Sequence, residues 1–186
     1  LSKKHLLVDI PDKRKMHQTP IPTLGGIAIF LGVLGTAWLW GLAVEGAVII
    51  CCMIILTLTG IWDDIRELSP KMKFAFQIMI AIAIAASGLR VHSMYGLFGI
   101  HEIPELIQYA FTIFLITGVI NAFNLIDGID GLAGGIAFIN ALFFGFILLI
   151  AGETEIALLA FSLSGAVLAF LRFNFNPASI FMGDTG

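Results

Sequence analysis

Apolar residues run through this chain in six long stretches, 24–44, 46–62, 74–89, 106–126, 132–151 and 156–171, separated by short polar or glycine-bearing connections. Each approaches the roughly 17 to 25 residues that a helix needs to cross a hydrocarbon core. A helix satisfies its own backbone groups, which lipid cannot do for it, so the pattern predicts an all-α, polytopic integral membrane bundle of about six transmembrane helices. Some ends are marked. Ser69 and Pro70 suit an N-cap and a first helical position before the third stretch, and Gly88 suits its stop. No repeat, low-complexity tract or linker divides the sequence, so residues 1–186 read as a single domain. It opens on Leu1 without a leader pattern, which reads as a truncated start.

Composition names the solvent. Hydrophobic residues make up 59% and charged residues 12%, with a mean hydropathy of +1.00, whereas soluble domains carry about 25% charged residues. The net charge of -3 gives no footing for nucleic acid. Cys51 and Cys52 are adjacent in an apolar run and read as packing residues, not as a disulfide framework or a metal site. With six crossings, Lys3, Lys4, Lys13, Arg14, Lys15, Arg66, Lys71, Lys73 and Arg172 share one side and only Arg90 lies opposite. The positive-inside rule makes the shared side cytoplasmic, in a multi-pass protein of the plasma (inner) membrane.

The aspartates of three polar islands fall on that same side. Asn121, Asn124, Asp127 and Asp130 recur every three residues in "NAFNLIDGIDGLAGG". On a regular helix such steps drift around the circumference, and a tighter turn permitted by Gly128 and Gly131 would align them. Carboxylates at the edge of a span are costly and usually functional. Asp63 and Asp64, read alone, are a solvated helix end near Arg66 and Lys71. Beside Asp127, Asp130 and Asp184 they become part of a charged face suited to a divalent cation and a phosphate-bearing substrate. Oxygen ligands without clustered Cys or His point to Mg²⁺ or Mn²⁺, not zinc. The first loop, "DIPDKRKMHQTPIPTLGG", is basic. It either attracts anionic headgroups or clamps phosphate through Arg14, Lys15 and His17. Gly25 and Gly26 at its end would admit close backbone approach, although glycine pairs also serve ordinary helix packing in membranes.

Four stretches carry a resemblance: "DKRKMHQTPIPTLGG", "WDDIRELSPKMKFAFQ", "NAFNLIDGIDGLAGG" and "FNFNPASIFMGDTG". In this order, alternating with spans, they resemble the polyprenyl-phosphate N-acetylhexosamine-1-phosphate transferases. The details are closer to the WecA/TagO branch, which uses UDP-GlcNAc, than to the MraY branch, which uses the muramyl pentapeptide nucleotide. Arg66 stands where the latter tends to have Lys. The resemblance implies that polyprenyl (undecaprenyl) phosphate attacks a UDP-sugar and displaces UMP, at the first membrane step of cell-envelope polysaccharide synthesis. It implies a catalytic set of Asp63, Asp64, Asp127 and Lys73, with Asp63 beside the lipid phosphate. It also implies a magnesium site at Asp184, Asn124 and Asp127, and a uridine site at Asp130, Asn174, Phe181 and Gly128. A homodimer is admitted.

Family members carry more spans and a His-rich cytoplasmic loop, so the resemblance also reads this chain as truncated at both ends. Two other classes compete with the transferase reading. A cation-coupled membrane transporter would place its acids near the bilayer midplane. An inactive scaffold of an envelope-polymer complex would have no need of the acid set.

Overall fold

The computed structural model describes residues 8–9, 21–41 and 47–186. Six helices follow one another in the order α1 (Gly25–Leu39), α2 (Ala47–Arg66), α3 (Pro70–Ala86), α4 (Glu105–Ile126), α5 (Leu132–Ile150) and α6 (Thr154–Asn174). A two-residue antiparallel pair precedes them, β1 (Val8–Asp9) with β2 (Ile21–Pro22), in the register Val8 to Pro22 and Asp9 to Ile21. Helices α2, α4, α5 and α6 are each long and apolar enough to cross a membrane. Helices α1 and α3 are shorter, at 15 and 17 residues.

The polar ends of the helices differ from the sequence reading in one consistent way. Helix α2 continues past Trp62 to Arg66, α3 begins at Pro70 before Phe74, and α6 runs past Leu171 to Asn174. A helix gains a hydrogen bond with each residue it adds, so a fall in hydropathy marks the membrane edge and not the helix end. Asp63, Asp64, Lys71 and Lys73 are therefore helical and fixed in direction, not held in a loop. The local signals around α3 operate as read. Ser69 is the N-cap and its hydroxyl accepts from Met72 N at 3.4 Å, Pro70 opens the helix, and Gly88 follows the end with φ +97°.

Lipid-facing and inward-facing residues separate along each helix. Ile29 of α1, Val167, Phe170 and Leu171 of α6, and Met182 of the returning chain form a buried core. Small residues set the closest approaches: a Cβ on Gly134 would strike Leu171, and one on Gly145 would strike the Phe161 ring. Outward faces carry Leu31, Phe143, Phe146, Ile150 and Leu168, with Trp38 and Trp40 at the end of α1. So much exposed apolar surface is unstable in water and normal against lipid, with Trp favoured at the membrane boundary.

Residues 175–186 return across the start of α1 and place one end of the bundle in register. Leu24 offers α1 no side-chain cap. The orphan N–H groups of Gly25 and Gly26 donate instead to the carbonyls of Phe181 at 3.0 Å and Met182 at 2.9 Å, and Phe181 N donates to Pro22 O at 2.9 Å. Both glycines are required by this crossing, because a Cβ on Gly25 would strike the Phe170 ring and one on Gly26 would overlap Thr185.

Candidate active site

The crossing brings Asp184 onto the ends of α2 and α3. Gly60, one turn before Asp63, has no room for a side chain, because a Cβ there would fall on the Asp184 carbonyl. Asp184 N donates to Asp64 Oδ1 at 3.2 Å. Gly183 takes φ +73°, and a Cβ on it would come within 3.0 Å of Asp64 Oδ2. The left-handed turn and the missing side chain together let the last residues lie flat on α2.

Asp63 is buried, at 4% exposure. Its Oδ1 accepts from Leu68 N at 2.5 Å, and its Oδ2 is ion-paired with Lys73 Nζ. Lys73 also reaches Asp184 Oδ2 at 3.2 Å. One ammonium thus lies between two carboxylates supplied by distant parts of the chain. A buried carboxylate is tolerable because it is paired and hydrogen-bonded on both oxygens.

Asp127 caps the C-terminal end of α4. Burial in the first place, and then the negative charges of Asp184 and Asp64, push its pKa up to about 6. Asp184, open to water on one side, is also pushed up to about 6. Partial burial contributes most, followed by a hydrogen bond shared with Asp63, and Lys73 offsets part of the rise. Carboxylates that raise one another's pKa in this way gain from a nearby cation.

The three-residue rhythm from Asn121 to Asp130 does not produce one aligned face. Helix α4 persists to Ile126, so the residues diverge at the normal helical pitch. Asn121 donates to Gln77 Oε1 at 2.8 Å and to Thr117 O at 2.8 Å, fastening α4 to α3. Asn124 and Asp127 line the cavity. Asp130 turns away and accepts from Ala178 N at 3.0 Å. Asn174 accepts from Gly131 N at 2.9 Å and donates to Ile180 O at 2.9 Å, so the α4–α5 turn is tied to the returning chain. A Cβ on Gly128 would meet nothing within 4 Å. Arg14, Lys15 and His17 lie outside the described residues.

Behind the charged mouth lies a cavity of about 550 Å³. Asp63, Lys73, Asn124, Asp127 and Asp184 line its polar end, while Ile29, Phe76, Phe123, Phe144, Leu163 and Val167 line its depth. A profile of glycosyl transferase family 4 matches residues 46–186. The chain belongs to this family. It is 40% identical over 183 residues to a probable undecaprenyl-phosphate N-acetylglucosaminyl 1-phosphate transferase of Bacillus subtilis, covering 96% of this chain and 51% of that protein. It is 33% identical to the undecaprenyl-phosphate alpha-N-acetylglucosaminyl 1-phosphate transferase of Escherichia coli K12, over 100% of this chain and 53% of that one. A phospho-N-acetylmuramoyl-pentapeptide-transferase of Alkaliphilus oremlandii is 36% identical, over 92% and 59%. The chain spans about half the length of the curated relatives it matches.

Within this family 4 chain the charged residues are legible in the sequence, whereas the groups that position them, Gly60, Gly183, Gln77 and buried Thr185, emerge from the fold. For Gly60 a signal exists, since an isolated glycine within an apolar helix marks a close backbone approach. Among the described residues no three His, Cys, Asp or Glu side chains converge tightly enough to enclose a metal by themselves.

Proposed function

We propose that the protein transfers a sugar-1-phosphate, GlcNAc-1-phosphate in the closest reading, from a UDP-sugar to polyprenyl phosphate on the cytoplasmic face of the plasma membrane, releasing UMP. The observation that carries this reading is the continuity of a charged mouth with an apolar cavity. That combination suits a substrate with a phosphate head and a prenyl tail, and is poorly suited to a wholly soluble pair of substrates.

In this mechanism an oxygen of the lipid phosphate attacks the phosphorus that bears the sugar. The new P–O bond forms as the bond to the UMP oxygen breaks, giving polyprenyl-diphospho-sugar. Lys73 holds the lipid phosphate, which attacks as its dianion, at the mouth, and Asp63 orients Lys73 through their ion pair. Asp64 holds the returning chain through Asp184 N. Asp127, Asn124 and Asp184 fit Mg²⁺, with Mn²⁺ as a substitute, because Mg²⁺ is bound by one or two carboxylates together with waters and substrate phosphates and needs no protein cage. When bound there, the ion would neutralise the diphosphate charge. Asp130, Gly128 and Phe181 are assigned to the uridine. Asn174, with its amide engaged by Gly131 and Ile180, holds that site together. Arg14, Lys15 and His17 are proposed phosphate contacts from the first loop. A homodimer is compatible with the apolar outer faces.

Neither competing class gains support. The acids gather at the helix ends of one pole, and membership of glycosyl transferase family 4 supports the transferase reading. The test is to incubate the full-length protein with sugar-labelled UDP-GlcNAc, polyprenyl phosphate and Mg²⁺. Label should enter the organic phase, and should not do so with Asp63→Asn. A failure of transfer from every UDP-sugar tried would refute the proposal.

A further inference from the structure

Helix α3 begins beside the carboxylates and is 17 residues long, about 26 Å, while a hydrocarbon core measures about 30 Å. Set with its start at one boundary, it would end just under one turn short of the opposite one. Its neighbour α4 starts at Glu105 and, with 22 residues, is about 33 Å long and spans fully. The connection between them, residues 87–104, must rise out of the membrane interface on its way to α4.

That connection is a folded hairpin. Ser93 and Glu102 form a bridge, Met94 N donates to His101 O at 3.0 Å, and Gly96 N donates to Ile100 O at 3.0 Å. Its base is pinned. Arg90 Nε donates to Gln108 Oε1 at 3.0 Å, its guanidinium pairs with Glu105 Oε1 at 3.3 Å, and it lies 4.5 Å from the centre of the Tyr109 ring. Val91 N donates to Thr112 Oγ1 at 3.0 Å. The cation is thus neutralised and stacked against α4.

The tip has the opposite character. Tyr95 is 93% exposed and Phe98 87%, with Leu97 and Ile100 also exposed. Tyr95 and Phe98 take φ +50° and +55°, in the left-handed region that bulky L-residues adopt only at a cost. The tip thus holds two aromatic rings outward in a strained backbone. The apolar surface continues into Leu89, Leu106 and Ile107, the exposed ends of α3 and α4.

We propose that this hairpin is a membrane-interface anchor: Tyr95 and Phe98 insert among the lipid headgroups and upper acyl chains at the pole opposite the carboxylates. Aromatic rings are favoured at that depth. The anchor makes up for the short α3 and fixes the depth of α3 and α4, the helices that carry Lys73 and Asn124 to the other pole. It rests on the membrane-spanning fold and not on the transferase assignment.

The experiment uses the full-length protein in phosphatidylcholine vesicles, with its other cysteines replaced by serine and a nitroxide attached at Phe98→Cys. Spin relaxation by oxygen, which enters lipid, is compared with relaxation by a water-soluble nickel chelate. The oxygen-to-nickel ratio at position 98 should exceed that at Glu153→Cys, in an exposed turn at the same pole, by several-fold. A label at Leu97→Cys leaves both rings in place and should give the same answer if the first variant folds poorly. A ratio equal to that at Glu153→Cys would mean that the tip lies in water, and exclusion of both reagents would mean that protein covers it. Either result overturns the proposal.

Discussion

The Lys73 ammonium stands 3.2 Å from the Asp184 carboxylate, although 111 residues separate the two in the chain. The contact is made because α3 starts under the segment that returns across α1, and because Lys73 is held in place by its ion pair with buried Asp63. A charged group tethered from both sides is held in one place, as the proposed phosphate contact requires.

Lys73→Met should therefore harm both fold and function. It leaves the Asp63 carboxylate buried without its cation, at a cost of about 3 kcal/mol or more. Thermal unfolding of the full-length protein in detergent should show a lower midpoint, and Asp63→Asn combined with Lys73→Met should recover part of it. An unchanged midpoint in the single variant would mean that the pair does not contribute.

Metal binding should depend on pH with a definite sign. Asp127 and Asp184 have folded-state pKa values raised to about 6, so they hold protons more tightly folded than unfolded. They favour the metal-free fold below about pH 4 and weigh against it as pH rises through 6. A bound cation relieves that repulsion only where the carboxyls are ionised. The increase in unfolding temperature caused by Mg²⁺ should be larger at pH 7.5 than at pH 5, and Asp184→Asn should diminish it. Equal shifts at both pH values would remove these carboxyls from the metal site.

Gly60→Ala should displace the returning chain, because its Cβ would fall on the Asp184 carbonyl. Overpacking of this kind costs about 1 to 3 kcal/mol. Gly35→Ala in α1 meets nothing within 4 Å and serves as a control. Unfolding temperature and transfer rate should both fall for Gly60→Ala and remain near wild type for Gly35→Ala. If the two variants behaved alike, the close crossing of α2 would be wrong.

The uridine assignment separates Asp130 from Asp63. Loss of one hydrogen-bonding partner should weaken UMP binding by roughly 5 to 150-fold in Asp130→Asn, whereas Asp63→Asn should depress turnover with UMP affinity nearly retained. Titration calorimetry on folded full-length variants decides this. Equal losses in both would make the carboxylates one coupled cluster.

The parts of this arrangement visible in the sequence are those encoded locally. Apolar runs place the helices, Ser69 and Pro70 start α3, and basic residues on one side put Asp63, Asp127 and Asp184 at a common pole. What escaped depends on how the chain returns. Gly25 and Gly26 look like ordinary packing glycines until the carbonyls of Phe181 and Met182 are seen to cap α1. Asn121 looks like a member of the Asn124 and Asp127 series, yet the continued helix turns it toward Gln77. Asp130 looks like a further member of that series, yet it does not line the cavity and its carboxylate accepts from Ala178 N. Nothing in a local pattern reveals a partner 48 residues away.

Which bond breaks is the most direct test of the central claim. UDP-GlcNAc labelled with ³²P on the sugar-bearing phosphate, incubated with the full-length protein, polyprenyl phosphate and Mg²⁺, should deliver its ³²P to the lipid. Unlabelled UMP should appear in equal amount. Release of labelled UDP, with sugar alone on the lipid, or no label in the lipid at all, would contradict the account.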